Sequence, residues 1–326
     1  MYKTRQRSSS TTSDYLQVAA TGFRRFTYAE LKKASRNFSE EIGRGGSSVV
    51  YKGKLSDDRI AAIKCLNEAK QGEAEFLAEV STIGRINHGN LIDRWGYCAQ
   101  GKHRLLVYEY LENGSLAENL NSNKLDWSQR FDIALGTAKG LAYLHEECLE
   151  WVLHCDVKPQ NILLDSNYQP KVADFGLSKI LNRSGIEATV NVSNIRGTRG
   201  YMAPEWTFQL PITSKVDVYS YGIVVLEMMI TGTSPNGQLF HSDQLNYDHL
   251  GVEQKRIVNW VRNKMNEDER PLSCIEKIVG SCMGGGEIDV KKLENLVKVA
   301  LQCVEENKDA RPTMRQVVDM LLHQDI

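Results

Sequence analysis

The sequence has little of what marks a membrane-spanning, disulfide-stapled or nucleic-acid-binding chain. Its longest apolar run, Gly222 to Leu226, is stopped by Glu227, far short of the ~18–20 residues that cross a bilayer. Seven cysteines (65, 98, 148, 155, 274, 282, 303) are scattered and odd in number, with no Cys-x-x-Cys pair. That pattern gives no support to a zinc ribbon or a thioredoxin-like motif and favours reduced thiols. Proline is scarce, 7 residues of 326, and glycine moderate at 25, which excludes a fibrous chain. Charge of either sign is nearly cancelled, 40 Lys+Arg against 41 Asp+Glu, so overall basicity cannot hold a nucleic acid. The opening residues lack an apolar h-region, so no secretory leader is expected among them. What is present, 41% hydrophobic and 25% charged residues, is the composition of a globular protein able to bury a core.

Residues 1–25 differ from the rest. Thr4 and Ser8 to Ser13 supply hydroxyls, and Lys3, Arg5, Arg7, Arg24 and Arg25 face one acid, Asp14. With so little apolar surface to bury, a disordered basic tail is expected, either a solvated leader or a segment lying against an anionic membrane face. Order is expected from Phe26: Thr27 and Glu30 form a capping-box pattern, Phe26 and Leu31 stand where a hydrophobic staple closes, and a short helix runs to about Arg36. Two β-like runs follow, Val49 to Leu55 and Arg59 to Leu66, around the turn Ser56-Asp57-Asp58. The spacing predicts helices over Glu73 to Ile86, Trp127 to His145, Asp217 to Thr231 and Lys291 to Val304, and a strand over Leu105 to Tyr110. A small β-rich part followed by a larger helical part makes the expected fold class α+β, in two lobes.

Four constellations carry chemistry. Gly43-Arg44-Gly45-Gly46-Ser47-Ser48-Val49-Val50 lies between strand-like runs, and glycines let backbone N–H groups approach a phosphate. It is not a Walker A loop, because no Gly-Lys-Ser/Thr follows and a strand comes next. Lys64 ends Ala61-Ala62-Ile63-Lys64, and Glu79, fifteen residues on, is placed to pair with it; alone, such a lysine is ordinarily a solvated edge residue. In His154-Cys155-Asp156-Val157-Lys158-Pro159-Gln160-Asn161, an Asp and an Asn five residues apart can accept a hydroxyl proton and ligate a divalent ion. Asp174-Phe175-Gly176, eighteen residues after Asp156, adds a second hard oxygen ligand, and Ala203-Pro204-Glu205 closes the segment.

In order and spacing these elements resemble the eukaryotic protein-kinase signature set, over residues from about 38 to 323. Asp-x-Lys-Pro-x-Asn resembles serine/threonine rather than tyrosine kinases. Phe26-Thr27-Tyr28-x-Glu30-Leu31, Asn113-Gly114-Ser115-Leu116, His154-Cys155-Asp156-Val157-Lys158-Pro159 and Gly197-Thr198-Arg199-Gly200-Tyr201 are similar to plant receptor-like kinases, best to the S-domain (G-type lectin) group and its maize relatives. The resemblance implies a bilobal fold, with a flanking helix at 26–37, an N-lobe at 38–110 and a C-lobe at 111–323.

It also implies roles. Ile42, Gly43, Arg44, Gly45, Gly46, Ser47, Ser48, Val50 and Ala62 would surround ATP, and Lys64 paired with Glu79 would grip its α/β-phosphates. Tyr108 would be the gatekeeper, the backbones of Glu109 and Leu111 would bond the adenine, and Leu163 would form its floor. Asp156 would accept the substrate proton, Lys158 would neutralise the γ-phosphate, Thr198 would contact both, and Asn161 and Asp174 would hold Mg²⁺, with Mn²⁺ as a substitute. Glu205, Arg311 and Asp217 are expected to be structural.

Two positions depart from the pattern. Ser48 replaces the loop's third glycine, which implies weakened but surviving nucleotide binding. Cys155 replaces the arginine that usually pairs with an activation-loop phosphate, which makes the chain a non-RD type. Phosphorylation at Thr189 or Ser193 is therefore expected not to switch activity through residue 155; a reactive Cys155 is a weaker alternative. The expected activity is phosphotransfer from ATP to protein Ser/Thr, including the chain itself, with transient homo- or heterodimers and no nucleic-acid partner. The expected location is the cytoplasmic side of a plasma membrane, if a single-pass receptor contains this chain, and otherwise the cytoplasm. The competing reading is a pseudokinase scaffold.

Overall fold

In a computed structural model of the protein, the described residues are 23–67, 70–82, 86–122, 124–181, 197–207, 212–230, 250–267 and 289–323. They belong to two compact units. One holds the residues through Asn87, Ile92–Leu111 and Asp174–Ser178; the other holds His88–Leu91, Glu112–Ala173 and Lys179–Ile326. This grouping is drawn differently from the expected division at 110/111. Leu111 and Asp174–Ser178 go with the first unit, where Asp174 bonds Lys64, and His88–Leu91 goes with the second, where Leu91 bridges Val172.

The first unit is built on a six-stranded sheet. Its strands are β1 (Arg24–Arg25), β2 (Glu41–Arg44), β3 (Ser48–Lys54), β4 (Ile60–Leu66), β5 (Arg94–Gln100) and β6 (His103–Glu109), in the order β1-β5-β6-β4-β3-β2. Helix α1 (Tyr28–Ala34) starts on the expected capping box: the Thr27 hydroxyl accepts the Glu30 N–H at 3.2 Å, and the Glu30 carboxylate accepts the Thr27 N–H at 2.7 Å. Both staple residues, Phe26 and Leu31, are buried in one core with Leu55, Ala61, Ile63, Cys98, Leu105 and Val107. Asp58, in the left-handed region at φ +66°, closes the β3–β4 turn, with the Leu55 N–H bonded to the Arg59 carbonyl at 2.9 Å.

The expected tail boundary also moves. Arg24 and Arg25 form β1, paired parallel with Gly96 and Tyr97 of β5. The cause is an absence: a Cβ on Gly96 would lie 2.0 Å from the Arg24 carbonyl oxygen, so only glycine admits this strand. The guanidinium of Arg24 stacks on Phe26 at 4.6 Å and pairs with Glu30 at 3.1 Å. Helix α2 (Lys70–Thr82) starts three residues before the expected Glu73, and buries Phe76 and Val80. Ile83 lies outside the described residues.

The second unit is mainly helical. It contains α3 (Leu116–Asn121), α4 (Trp127–Ala142) continued by a π-turn over Tyr143–Glu147, α5 (Pro204–Thr207), α6 (Lys215–Ile230), α7 (Leu250–Glu267), α8 (Val290–Cys303) and α9 (Met314–Leu322). Capping boxes start α3 (Ser115/Glu118), α4 (Asp126/Gln129) and α9 (Thr313/Gln316). Helix α6 is buried almost all round, as its sequence requires. Arg311 forms a bidentate pair with Glu205, at 2.7 and 2.9 Å, with both side chains buried. Two short antiparallel pairs carry the loops of interest: β7 (Trp151–Leu153) with β10 (Lys179–Leu181), and β8 (Ile162–Leu164) with β9 (Pro170–Val172). Among the described residues no helix is long and apolar enough to cross a membrane.

Candidate active site

The first unit carries the phosphate-loop pattern and the Lys64 pair. The chain turns from β2 to β3 at Gly45–Ser47, with the Gly45 N–H bonded to the Ser48 carbonyl at 2.8 Å. A Cβ on Gly46 would meet nothing within 4 Å, so the loop backbone is open to a ligand. Ser48 is the first residue of β3, paired with Leu66. The Ser47 hydroxyl donates to Glu75 of α2, a contact with no sequence signal across 28 residues. Arg44 points outward, paired with Glu41; Ile42 is exposed and Val50 half-buried.

Lys64 is not at a solvated edge. β4 lies inside the sheet, and the Lys64 ammonium is buried between Glu79 Oε1 at 2.8 Å and Asp174 Oδ1 at 2.7 Å. Burial alone would depress its pKa, but the charges of Asp174 and Glu79 outweigh it and raise the pKa, so the group stays charged. Tyr108, opposite Ala62 in the β4–β6 ladder, donates its hydroxyl to Glu79 Oε2. Burial, then the charge of Glu79, push that phenol well above its ordinary range. Glu79 is thereby fixed from two sides. The Glu109 N–H is engaged by the Asp93 carbonyl at 3.0 Å, so it is the Glu109 carbonyl that the expected base contact has to use. Leu111 is buried. Asp174 lies in the left-handed region, at φ +63°.

The second unit carries the loop after β7. Asp156 Oδ1 accepts the Thr198 hydroxyl at 2.6 Å, and Oδ2 accepts the Lys158 ammonium at 2.8 Å. Lys158 also donates to Thr198 Oγ1 at 2.8 Å. The Asn161 amide donates to the Asp156 carbonyl at 2.9 Å and to Oδ2 at 3.0 Å. Both partners are acceptors, which assigns the NH₂ there and leaves Oδ1 as the amide's oxygen end. Leu163 is half-buried on β8. The four polar residues that the sequence grouped here, Asp156, Lys158, Asn161 and Thr198, form one bonded cluster.

Beneath them lies a support that sequence reasoning placed only as structural. Asp217 of α6 accepts the N–H groups of His154 and Cys155, both at 2.8 Å, and pairs with His145 at 2.9 Å. His154 accepts the Asp156 N–H at Nδ1 (3.2 Å) and reaches the Ala173 carbonyl at Nε2 (2.9 Å), which sets the proton on Nε2. Cys155 is buried, and burial followed by the charge of Asp217 pushes its thiol well above its ordinary pKa. The reactive-thiol alternative loses its basis there. Burial likewise pushes Cys65 up to about 12. Cys65, Cys98, Cys155 and Cys303 form no disulfide; Cys274, Cys282, Thr189 and Ser193 lie outside the described residues.

The family model described as "Protein kinase domain" matches residues 36–322. The chain belongs to the protein kinase domain family. This kinase domain is 50% identical over 95% of its length to the provisionally named receptor protein kinase ZmPK1 of Zea mays. It is 41% and 40% identical, over 94% and 98% of its length, to the G-type lectin S-receptor-like serine/threonine-protein kinases At1g34300 and SD2-2 of Arabidopsis thaliana. It spans only 37%, 35% and 39% of those three relatives. The sheet-rich first unit and helical second unit are the α+β kinase fold, and membership implies ATP and a divalent metal as reaction partners. Among the described residues no group of three or more His, Cys, Asp or Glu could hold a metal ion. A magnesium-type ion takes one or two protein oxygens and completes its shell with substrate phosphates and water.

Proposed function

We propose that the chain transfers the γ-phosphoryl group of ATP to serine and threonine hydroxyls of proteins, its own included. The observation that carries this reading is the bonding of Asp156 to both Lys158 and Thr198. A carboxylate held in that way is oriented to accept a proton. As the substrate hydroxyl oxygen bonds the γ-phosphorus, its proton passes to Asp156 and the β,γ-bridging oxygen leaves with ADP; Lys158 offsets charge on the transferring group. Lys64, kept charged by its carboxylates, holds the α/β-phosphates under the 43–50 loop. Ile42, Val50, Ala62, Tyr108, Glu109, Leu111 and Leu163 line the base. Asn161 and Asp174 would offer oxygens to Mg²⁺, which would neutralise phosphate charge when bound.

The kinship with receptor-like kinases supports a place in receptor signalling, on the cytoplasmic side of a membrane. Cys155 supports a non-RD mode of control, independent of a phosphate–arginine pair. Ser48 and Cys155 are also what favour the scaffold reading. Incubation with labelled ATP and Mg²⁺, against Lys64→Met and Asp174→Ala chains, tests the proposal. Incorporation well above both variants is the expected result, and none above them would leave the scaffold.

A further inference from the structure

Arg94 has no part in the reading above, yet it is a buried cation inside the first unit. It opens β5 opposite Tyr108 of β6, 8% exposed. One guanidinium nitrogen, Nη1, donates to Thr82 Oγ1 at 2.8 Å, and the Thr82 hydroxyl in turn donates to the Glu79 carbonyl at 2.9 Å. The guanidinium carbon lies 4.3 Å from the ring centroid of Phe175, a residue with no exposed surface. Phe175 is covalently next to Asp174, whose carboxylate bonds Lys64, and Lys64 bonds Glu79. The contacts therefore close a ring: Glu79, Thr82, Arg94, Phe175, Asp174, Lys64 and back to Glu79.

We propose that Arg94 is a positioning residue for Asp174, acting through the face of Phe175. An apolar side chain could fill the same space. A guanidinium does more: it is attracted to the ring face, most strongly where water is excluded, while its fork keeps a bond to the end of α2. Asp174 holds a left-handed backbone, a conformation that persists only when neighbours fix it; Phe175 under Arg94 is one fixed neighbour, Lys64 the other. A ligand that draws Lys64 toward phosphates weakens the second restraint, so the first then sets where the Asp174 carboxylate stands for a metal. A second charge effect has the same sign. Arg94 opposes the carboxylate field that raises the Tyr108 phenol, so two buried cations stand against the two carboxylates Glu79 and Asp174.

This inference rests on Asp174 being a metal-holding carboxylate. The test is Mg²⁺-dependent binding of a fluorescent non-hydrolysable ATP analogue to the full chain, with phosphotransfer kinetics alongside. Arg94→Met, which keeps the length and loses the charge, is expected to raise the half-saturating Mg²⁺ concentration about tenfold. Arg94→Lys is expected within about threefold of the native chain. Phe175→Leu should match Arg94→Met, and the double variant should be no worse than either single one. An Arg94→Met midpoint as close to the native one as that of Arg94→Lys would overturn the inference, because packing alone then suffices. Additive losses at 94 and 175, or a lowered Tm with an unmoved Mg²⁺ midpoint, would overturn it too. If the native chain shows no Mg²⁺-dependent binding, the phosphotransfer reading falls, and this inference with it. Native binding with unaffected variants removes this inference alone.

Discussion

Asp217 Oδ1 accepts the backbone N–H of Cys155 at 2.8 Å, and Cys155 carries φ +66°. A side chain on a helix thereby fixes a left-handed residue immediately before Asp156, the carboxylate that meets Lys158, Thr198 and Asn161. The direction in which Asp156 points is decided 61 residues away in sequence, by a group that touches no substrate.

Asp217→Asn should therefore harm stability and turnover together. An amide can accept one of the two N–H groups but turns its own NH₂ toward the other, and a buried unsatisfied donor costs ~1–3 kcal/mol. Burial would raise the Asp217 pKa, yet the hydrogen bond and charge of His145 and the backbone N–H of His154 hold it below the usual 3.8. A depressed carboxylate pKa means stability present above pH ~4 and lost as pH falls through the folded value. Urea unfolding from neutral pH down to acid should show the gap between native and variant chains narrowing toward acid. At neutral pH, kcat should fall more than KM for ATP rises.

Arg311 and Glu205 give a second test. The pair is buried, bidentate and 106 residues apart in sequence, and Arg311 also donates to the carbonyls of Glu305, Lys215 and Glu306. Arg311→Met strands a buried carboxylate and several carbonyls, so a loss of ~3–5 kcal/mol is expected by denaturant unfolding. Glu205→Gln, which keeps an acceptor for the fork, should cost less. Equal losses would show that the ion pair, not the carbonyl contacts, holds the segment.

What the sequence disclosed and what it hid divide along a physical line. Features written in local side-chain chemistry were legible: the Thr27/Glu30 cap, the Phe26–Leu31 staple, the periodic helices, and the Asp156 to Asn161 loop. Features carried by backbone or by distant partners were not. β1 exists because Gly96 lacks a side chain, so Arg24 and Arg25 read as tail. The Ser47–Glu75 and Tyr108–Glu79 bonds and the Arg94 stack join residues whose spacing follows no helical or strand period.

Cys155 offers a direct chemical check. Its thiol is buried, and burial with the nearby Asp217 charge keeps it protonated, whereas alkylation needs an exposed thiolate. Iodoacetamide at pH 8 with peptide mapping should leave Cys155 unmodified in the folded chain and label it after unfolding in guanidinium. Rapid labelling of the native protein would contradict the packing described here.

The segment before residue 36 makes the last prediction, because the family match begins only there. Phe26 and Leu31, both buried, pack with Leu55, Ala61, Ile63, Cys98, Leu105 and Val107, and Tyr28, Ala34 and Phe38 flank them. A chain trimmed to 36–322 loses β1 and α1 and bares that face of the sheet. An exposed apolar face of this kind drives aggregation and dye binding. The trimmed chain should unfold at lower temperature than the full one and bind an apolar fluorophore strongly at room temperature. Leu31→Ala in the full chain isolates the packing contribution: truncating a fully buried leucine costs ~2–5 kcal/mol. Trimming only 1–22, which removes none of these contacts, should leave both readings where they were. Loss of stability from that milder cut would assign the effect to residues 1–22 rather than to the clasp of β1 and α1.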